Sequence, residues 1–103
     1  MKKLQFNQIK SQNFYVAHTH NGGEILKSYN TIVGYITPYG ALYRVRYTHT
    51  TGKQITQYYN NNFAFVEENF CTADELAETI KAHENANINT QYNGVYGDLL
   101  FID

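Results

Sequence analysis

The sequence predicts an α+β fold, a small antiparallel sheet of three to four strands covered by two helices, and three observations carry that expectation. β-branched and aromatic runs broken by turn residues fill residues 13–47, a helical stripe of aliphatic and aromatic residues runs over 55–63, and a capped, acid-led segment begins at Thr72. The 103 residues suit one domain, 1–103, and ten tyrosines with six phenylalanines supply bulky core material.

The first strand is Phe14-Tyr15-Val16-Ala17-His18, and Asn21-Gly22-Gly23 then provides residues that accept the positive φ of a tight turn. Residues 24–29 pair back on it. Residues 31–37 form a third run, which stops at Pro38 because proline brings no N–H to a ladder. After the turn at Pro38-Tyr39-Gly40, Leu42, Arg44 and Arg46 alternate with Tyr43, Val45 and Tyr47. A period of two puts the arginines on one face and the tyrosines and valine on the other, which predicts a strand with a basic outer face.

The next stretch, YTHTTGKQITQYYNNN, contains a Thr-Gly-Lys and raises the question of a phosphate loop. Such a loop needs several glycines whose N–H groups converge on one anion, then a lysine and a hydroxyl that binds Mg²⁺. Here Gln54 follows Lys53 and no glycine stands at the upstream position, so the nucleotide reading fails. A hairpin arm turning at Thr50-Thr51-Gly52-Lys53 is one alternative. The better fit is a helix near 52–62: Thr51 and Gln54 have capping-box spacing, and Ile55, Tyr58, Tyr59 and Phe63 form one apolar stripe. Asn60, Asn61 and Asn62 would end it, one of them in the left-handed conformation.

A second helix is expected near 73–83. Thr72 and Glu75 form a capping box, acids fill the first turn, and Lys81 and His83 sit in the last, as the helix dipole favours. Residues 84–97 read as loop, and residues 98–102 as an edge strand or an apolar segment laid on the core.

The formal net charge of −1 conceals an asymmetry: residues 1–60 carry +6 and residues 61–103 carry −7. Either half offers a surface, basic toward nucleic acid or acidic toward a protein, unless the two face each other in the fold. Cys71 is the only cysteine, which rules out an internal disulfide and suits a reducing cytoplasm. No apolar run approaches the ~20 residues of a membrane span.

The segments GGEILKSYNTIVGYI, YRVRY and TTGKQITQYYNN resemble a group of small uncharacterised proteins from phages and plasmids of low-GC bacteria, over roughly residues 4–63. The resemblance implies a mobile-element origin and carries no active site with it. Proteins of that kind include inhibitors of host defence, anti-CRISPR proteins among them, which often present acidic surfaces.

No catalytic set emerges from the residues. His18 and His20 share a strand face, but with His49, His83 and Cys71 dispersed they do not make a zinc site. Cys71 precedes a helix start, which can lower a thiol pKa, yet no base is placed beside it and its expected role is packing. The functional expectation is therefore a non-enzymatic protein, without cofactor, metal, small-molecule substrate or membrane, that binds and inhibits or modulates a host protein. A CRISPR effector nuclease is the specific candidate, with Glu67, Glu68, Asp74, Glu75, Glu78 and Glu84 as the acidic binding surface. The alternative is a small nucleic-acid-binding accessory protein using Arg44, Arg46 and Lys53.

Overall fold

The computed structural model describes residues 2–10, 12–64, 67–84, 86–87 and 101–102. Along the chain the elements are β1 (Lys2–Lys3), β2 (Asn7–Gln8), β3 (Phe14–His18), β4 (Glu24–Ser28), β5 (Thr31–Ile36), β6 (Ala41–Arg44), α1 (His49–Asn62), β7 (Glu67–Phe70), α2 (Ala73–Glu84), β8 (Ala86–Asn87) and β9 (Phe101–Ile102). The α+β class holds, but the main sheet has six strands, in the order β2-β3-β4-β5-β6-β7. It is mixed: β2 to β6 form an antiparallel meander, and β7 joins β6 in parallel after the α1 crossover. Short β1, β9 and β8 make a second small sheet in that order.

The four strands between residues 14 and 44 follow the sequence reading; β2 and β7 are the additions. Neither announces itself, because β2 is two exposed polar residues and β7 is Glu-Glu-Asn-Phe. A parallel edge strand is placed by its crossover helix rather than by an alternating apolar pattern. The loop expected over 84–97 lies mostly outside the described residues, apart from Glu84 in α2 and the β8 pair. The edge strand expected over 98–102 is described at residues 101–102 alone, where β9 is not an edge but the middle strand, paired with β1 and β8.

Two hairpins use one turn design. Thr19 and Thr37 each accept from a backbone N–H four residues on (Gly23, 2.9 Å; Ala41, 3.1 Å), while Gly22 and Gly40, both at φ 91°, donate to the threonine carbonyls. That is a threonine-anchored turn closed by a glycine in the left-handed region. Between them β4 and β5 are joined at Tyr29 (φ 54°), and Val33, which has no opposite residue, bulges β5.

The helices lie on opposite faces of the sheet. On one, Ile55 and Tyr59 of α1 pack with Phe14, Val16, Leu26, Val33, Ile36 and Leu42. On the other, Leu76 and Ile80 of α2 pack with Ile25, Ile32 and Tyr35. Each fully buried aliphatic contributes on the order of 1.5–3 kcal/mol, so neither face is dispensable.

Helix α1 starts earlier than its sequence suggests. Thr48, not Thr51, is the N-cap and accepts from the Thr51 N–H (3.1 Å). Thr51 is instead buried on the sheet side, its hydroxyl paired with Ser28 (2.9 Å). At the other end the chain leaves α1 through extended Phe63, so none of the three asparagines takes the left-handed conformation. The α2 capping box is as expected: Thr72 N–H donates to Glu75 (2.9 Å) and Glu75 N–H to Thr72 (3.1 Å). No helix among the described residues is long and apolar enough to cross a membrane.

Candidate functional site

Strand β6 ends at Arg44 and the chain passes through Val45, Arg46 and Tyr47 to the Thr48 cap of α1; β7 ends at Phe70 and passes through Cys71 to the Thr72 cap of α2. Because the strands are parallel and the helices take opposite faces, both helix N-termini gather at the carboxyl end of the strand pair. That is where α/β sheets open crevices. Here the crevice is a cleft of about 480 Å³ lined by Ile32, Val45, Arg46, Tyr47, Phe70, Cys71 and Glu75, among others.

Phe70 forms its lip. The ring is 46% exposed, and Arg46 lies over it with its guanidinium carbon 4.1 Å from the centroid. Tyr47, next to Arg46, is 52% exposed. A cation over an aromatic face is attracted by the ring quadrupole, so Arg46 is held while its donors remain available. Beyond Phe70 a shallower depression is lined by His49, Lys53, Thr56, Gln57 and Glu68.

The three basic residues expected on one outer face separate. Arg46 and Lys53 are exposed, but Arg44 is only 5% exposed. Its guanidinium donates to Glu68 (2.9 Å), Thr56 (2.8 Å) and the Gly52 carbonyl (2.8 Å), and its Nε has no partner among the described residues. The alternation holds only within β6, where Arg44 and Tyr43 take opposite faces; the strand stops at Arg44, Tyr47 is exposed rather than in the core, and the Arg44 face is not solvent because α1 covers it. Arg44 is a structural strut between strand and helix.

The six acids separate as well. Glu67, Asp74 and Glu78 are exposed, and Glu68 is turned to Arg44. Glu75 serves as a cap, and the Thr72 backbone N–H, then its hydroxyl, hold the Glu75 carboxyl below its ordinary value. Glu84 is 2% exposed and cannot belong to an acidic surface. It accepts from Thr19 (2.9 Å), Asn21 (3.2 Å) and Tyr35 (2.5 Å), fastening the end of α2 to the β3–β4 turn. Burial first, then the Glu84 carboxyl, push the Tyr35 phenol well above its usual range.

Cys71 lines the cleft, but burial and then the Glu75 carboxylate raise its thiol pKa, the reverse of what a helix N-terminus alone would do. The histidines stay apart, and among the described residues no group of three His, Cys, Asp or Glu side chains could hold a metal.

Sequence reading missed Phe70 and Tyr47 as surface features and Glu84 as a core residue. The signal for Phe70 was its company: a lone aromatic after Glu-Glu-Asn cannot belong to an apolar stripe. Glu84 gave none, since it ends an ordinary amphipathic helix.

Residues 2–77 match the model of a family described as a family of unknown function (DUF8033). No curated protein and no solved structure matches the chain.

Proposed function

The chain belongs to this family of unknown function, and we propose that it is a non-enzymatic binding protein that engages a partner protein through the cleft at the ends of β6 and β7. One observation carries the reading: Phe70, with Arg46 stacked on it and Tyr47 beside it, is an exposed aromatic and arginine group at the mouth of a largely apolar cleft. These residue types dominate the cores of protein interfaces, where large rigid area and a planar cation bind with little entropy to lose. Besides Arg46 and Tyr47, the cleft holds a raised thiol and a carboxylate engaged as a cap, a poor pair for acid–base or nucleophilic chemistry.

Within this reading the partner is a host protein of a bacterium that carries a mobile element, with a CRISPR effector nuclease as the first target to assay. That finer identification rests on the sequence resemblance and the exposed acids Glu67, Asp74 and Glu78. The test is photocrosslinking from position 70 or 47 in such a host, identification of the captured protein, and titration of the purified pair. Phe70→Ser and Arg46→Ala should each weaken binding by about 10-fold or more. Unchanged affinity in both variants rejects the cleft as the interface, and undiminished target cleavage at saturating protein rejects the nuclease.

The nucleic-acid alternative keeps one supporting observation, Arg46 on Phe70 with His49 and Lys53 across the adjoining depression. Glu68 and Glu75 stand in the same walls and oppose a phosphate backbone. Salt-sensitive gel shifts that vanish on reversing Arg46 and Lys53 would restore it.

A further inference from the structure

We infer that the outer edge of β7 is a docking site for an extended basic segment of the partner, which would add a strand to the sheet; the inference rests on the protein-binding reading and specifies its chemistry. Among the described residues no strand pairs with that edge. The Cys71 N–H donates inward to the Arg44 carbonyl (2.9 Å), and the alternation of a parallel ladder then turns the amides of Glu68 and Phe70 outward. An open edge of this kind is a template for another chain, and natural sheets guard it with charge.

The residues on the edge state what it accepts. Two copies meeting here would set Glu67 and Glu68 against the same acids, which disfavours self-pairing. Nucleic acid is repelled for the same reason. A strand with two neighbouring basic residues meets Glu67 and Glu68 in complement, Glu68 offering the part of its carboxylate that its pair with Arg44 leaves exposed, and an apolar side chain two positions beyond the nearer of them lands beside Phe70. The recognised pattern is the complement of Glu67-Glu68-Asn69-Phe70: basic, basic, any residue, apolar, read in either direction.

The probes are two capped octapeptides centred on Lys-Lys-Thr-Val and Val-Thr-Lys-Lys, with versions N-methylated at alternate backbone nitrogens in each alternation, titrated into the ¹⁵N-labelled full chain. Binding by one of them should move the amide signals of residues 67–71 and slow hydrogen exchange at the Glu68 and Phe70 amides by about tenfold. One methylated alternation should abolish binding, and Glu67→Lys, an exposed change that leaves the backbone contacts of Glu67 with the Tyr59 hydroxyl in place, should weaken it by about tenfold. Equal binding by both methylated versions, or perturbation mapped away from β7, overturns the edge assignment. So does the absence of binding at millimolar peptide. If a crosslinked partner still depends on Phe70 while Glu67→Lys and the peptides have no effect, the edge assignment fails and the cleft reading stands. If Phe70→Ser leaves partner affinity unchanged while the peptides protect β7, the cleft reading fails instead.

Discussion

Arg44 and Glu84 are both buried polar side chains of the charged type, set at opposite ends of one sheet, and they are held by opposite means. Glu84 receives neutral donors, Thr19, Asn21 and Tyr35, all from the sheet and its turn. Arg44 has a carboxylate partner, Glu68, on an edge strand, and that partner's side chain keeps 36% of its exposure. A fully enclosed acceptor leaves its donors no second partner, whereas a half-exposed ion pair can exchange protein for water when one side is lost. The Glu84 end is therefore a lock. The Arg44 end, where the cleft opens, has room to adapt, and Phe70 lies between Arg44 and Arg46 on that side.

The sharpest way to break this contrast is at the lock. Glu84→Leu should destabilise the fold by about 3 kcal/mol, because the Tyr35 and Thr19 hydroxyls and the Asn21 amide lose their acceptor, while Glu84→Gln, which keeps one, should cost about 1 kcal/mol. Urea unfolding of the two variants measures the difference. If both cost the same, the network is not what holds that end.

That network and a second tyrosine–carboxylate pair, Tyr58 with Glu24, have an alkaline signature. Tyr35 and Tyr58 have folded pKa values above the ordinary tyrosine value, each through burial first and then its carboxyl partner, Glu84 or Glu24. Their contribution is complete below the unfolded value of about 10 and declines as pH rises above it, since only the unfolded chain can then ionise them. Stability should fall beyond pH ~10 less steeply in Tyr35→Phe than in the parent, as read by phenolate absorbance during unfolding.

Arg44→Met should cost about 2 kcal/mol, less than Glu84→Leu, because Glu68 can rehydrate and the principal loss is the donor to the Gly52 carbonyl and Thr56. A cost above that of Glu84→Leu would reverse the contrast.

Smallest is the α2 cap, beside the cleft. Thr72→Ala should cost about 1 kcal/mol at neutral pH. Since Thr72 holds the Glu75 carboxyl below its ordinary value of about 4.5, the Glu75 contribution is present above that pH and lost as pH falls through the lower folded value. The gap between variant and parent should shrink in acid, as followed by thermal melts across pH 3–7.

Several of these features were legible beforehand. The four strands from Phe14 to Arg44 and the two glycine turns were readable from alternation and punctuation, and the α2 cap from its Thr72–Glu75 spacing. Thr51 misled because it alone has a glutamine three residues on, Gln54, while Thr48 is followed at that spacing by Thr51; Thr51 is turned inward to Ser28 across the sheet, and the cap falls to Thr48. The candidate site was the least legible part. Its acids and arginines were named from charge alone, and Glu84 and Arg44 turned out to be internal.

The sequence by itself determined the strands from Phe14 to Arg44 and the two helices, because hydrophobic period, turn chemistry and capping act within a few residues. Only the tertiary structure decided which face of β6 meets solvent, that β7 lies parallel beside it, and that Phe70, Arg46 and Tyr47 meet at one cleft. Those outcomes depend on where the α1 crossover delivers the chain, and a side chain becomes buried or exposed through what a distant element places over it, which no local pattern encodes.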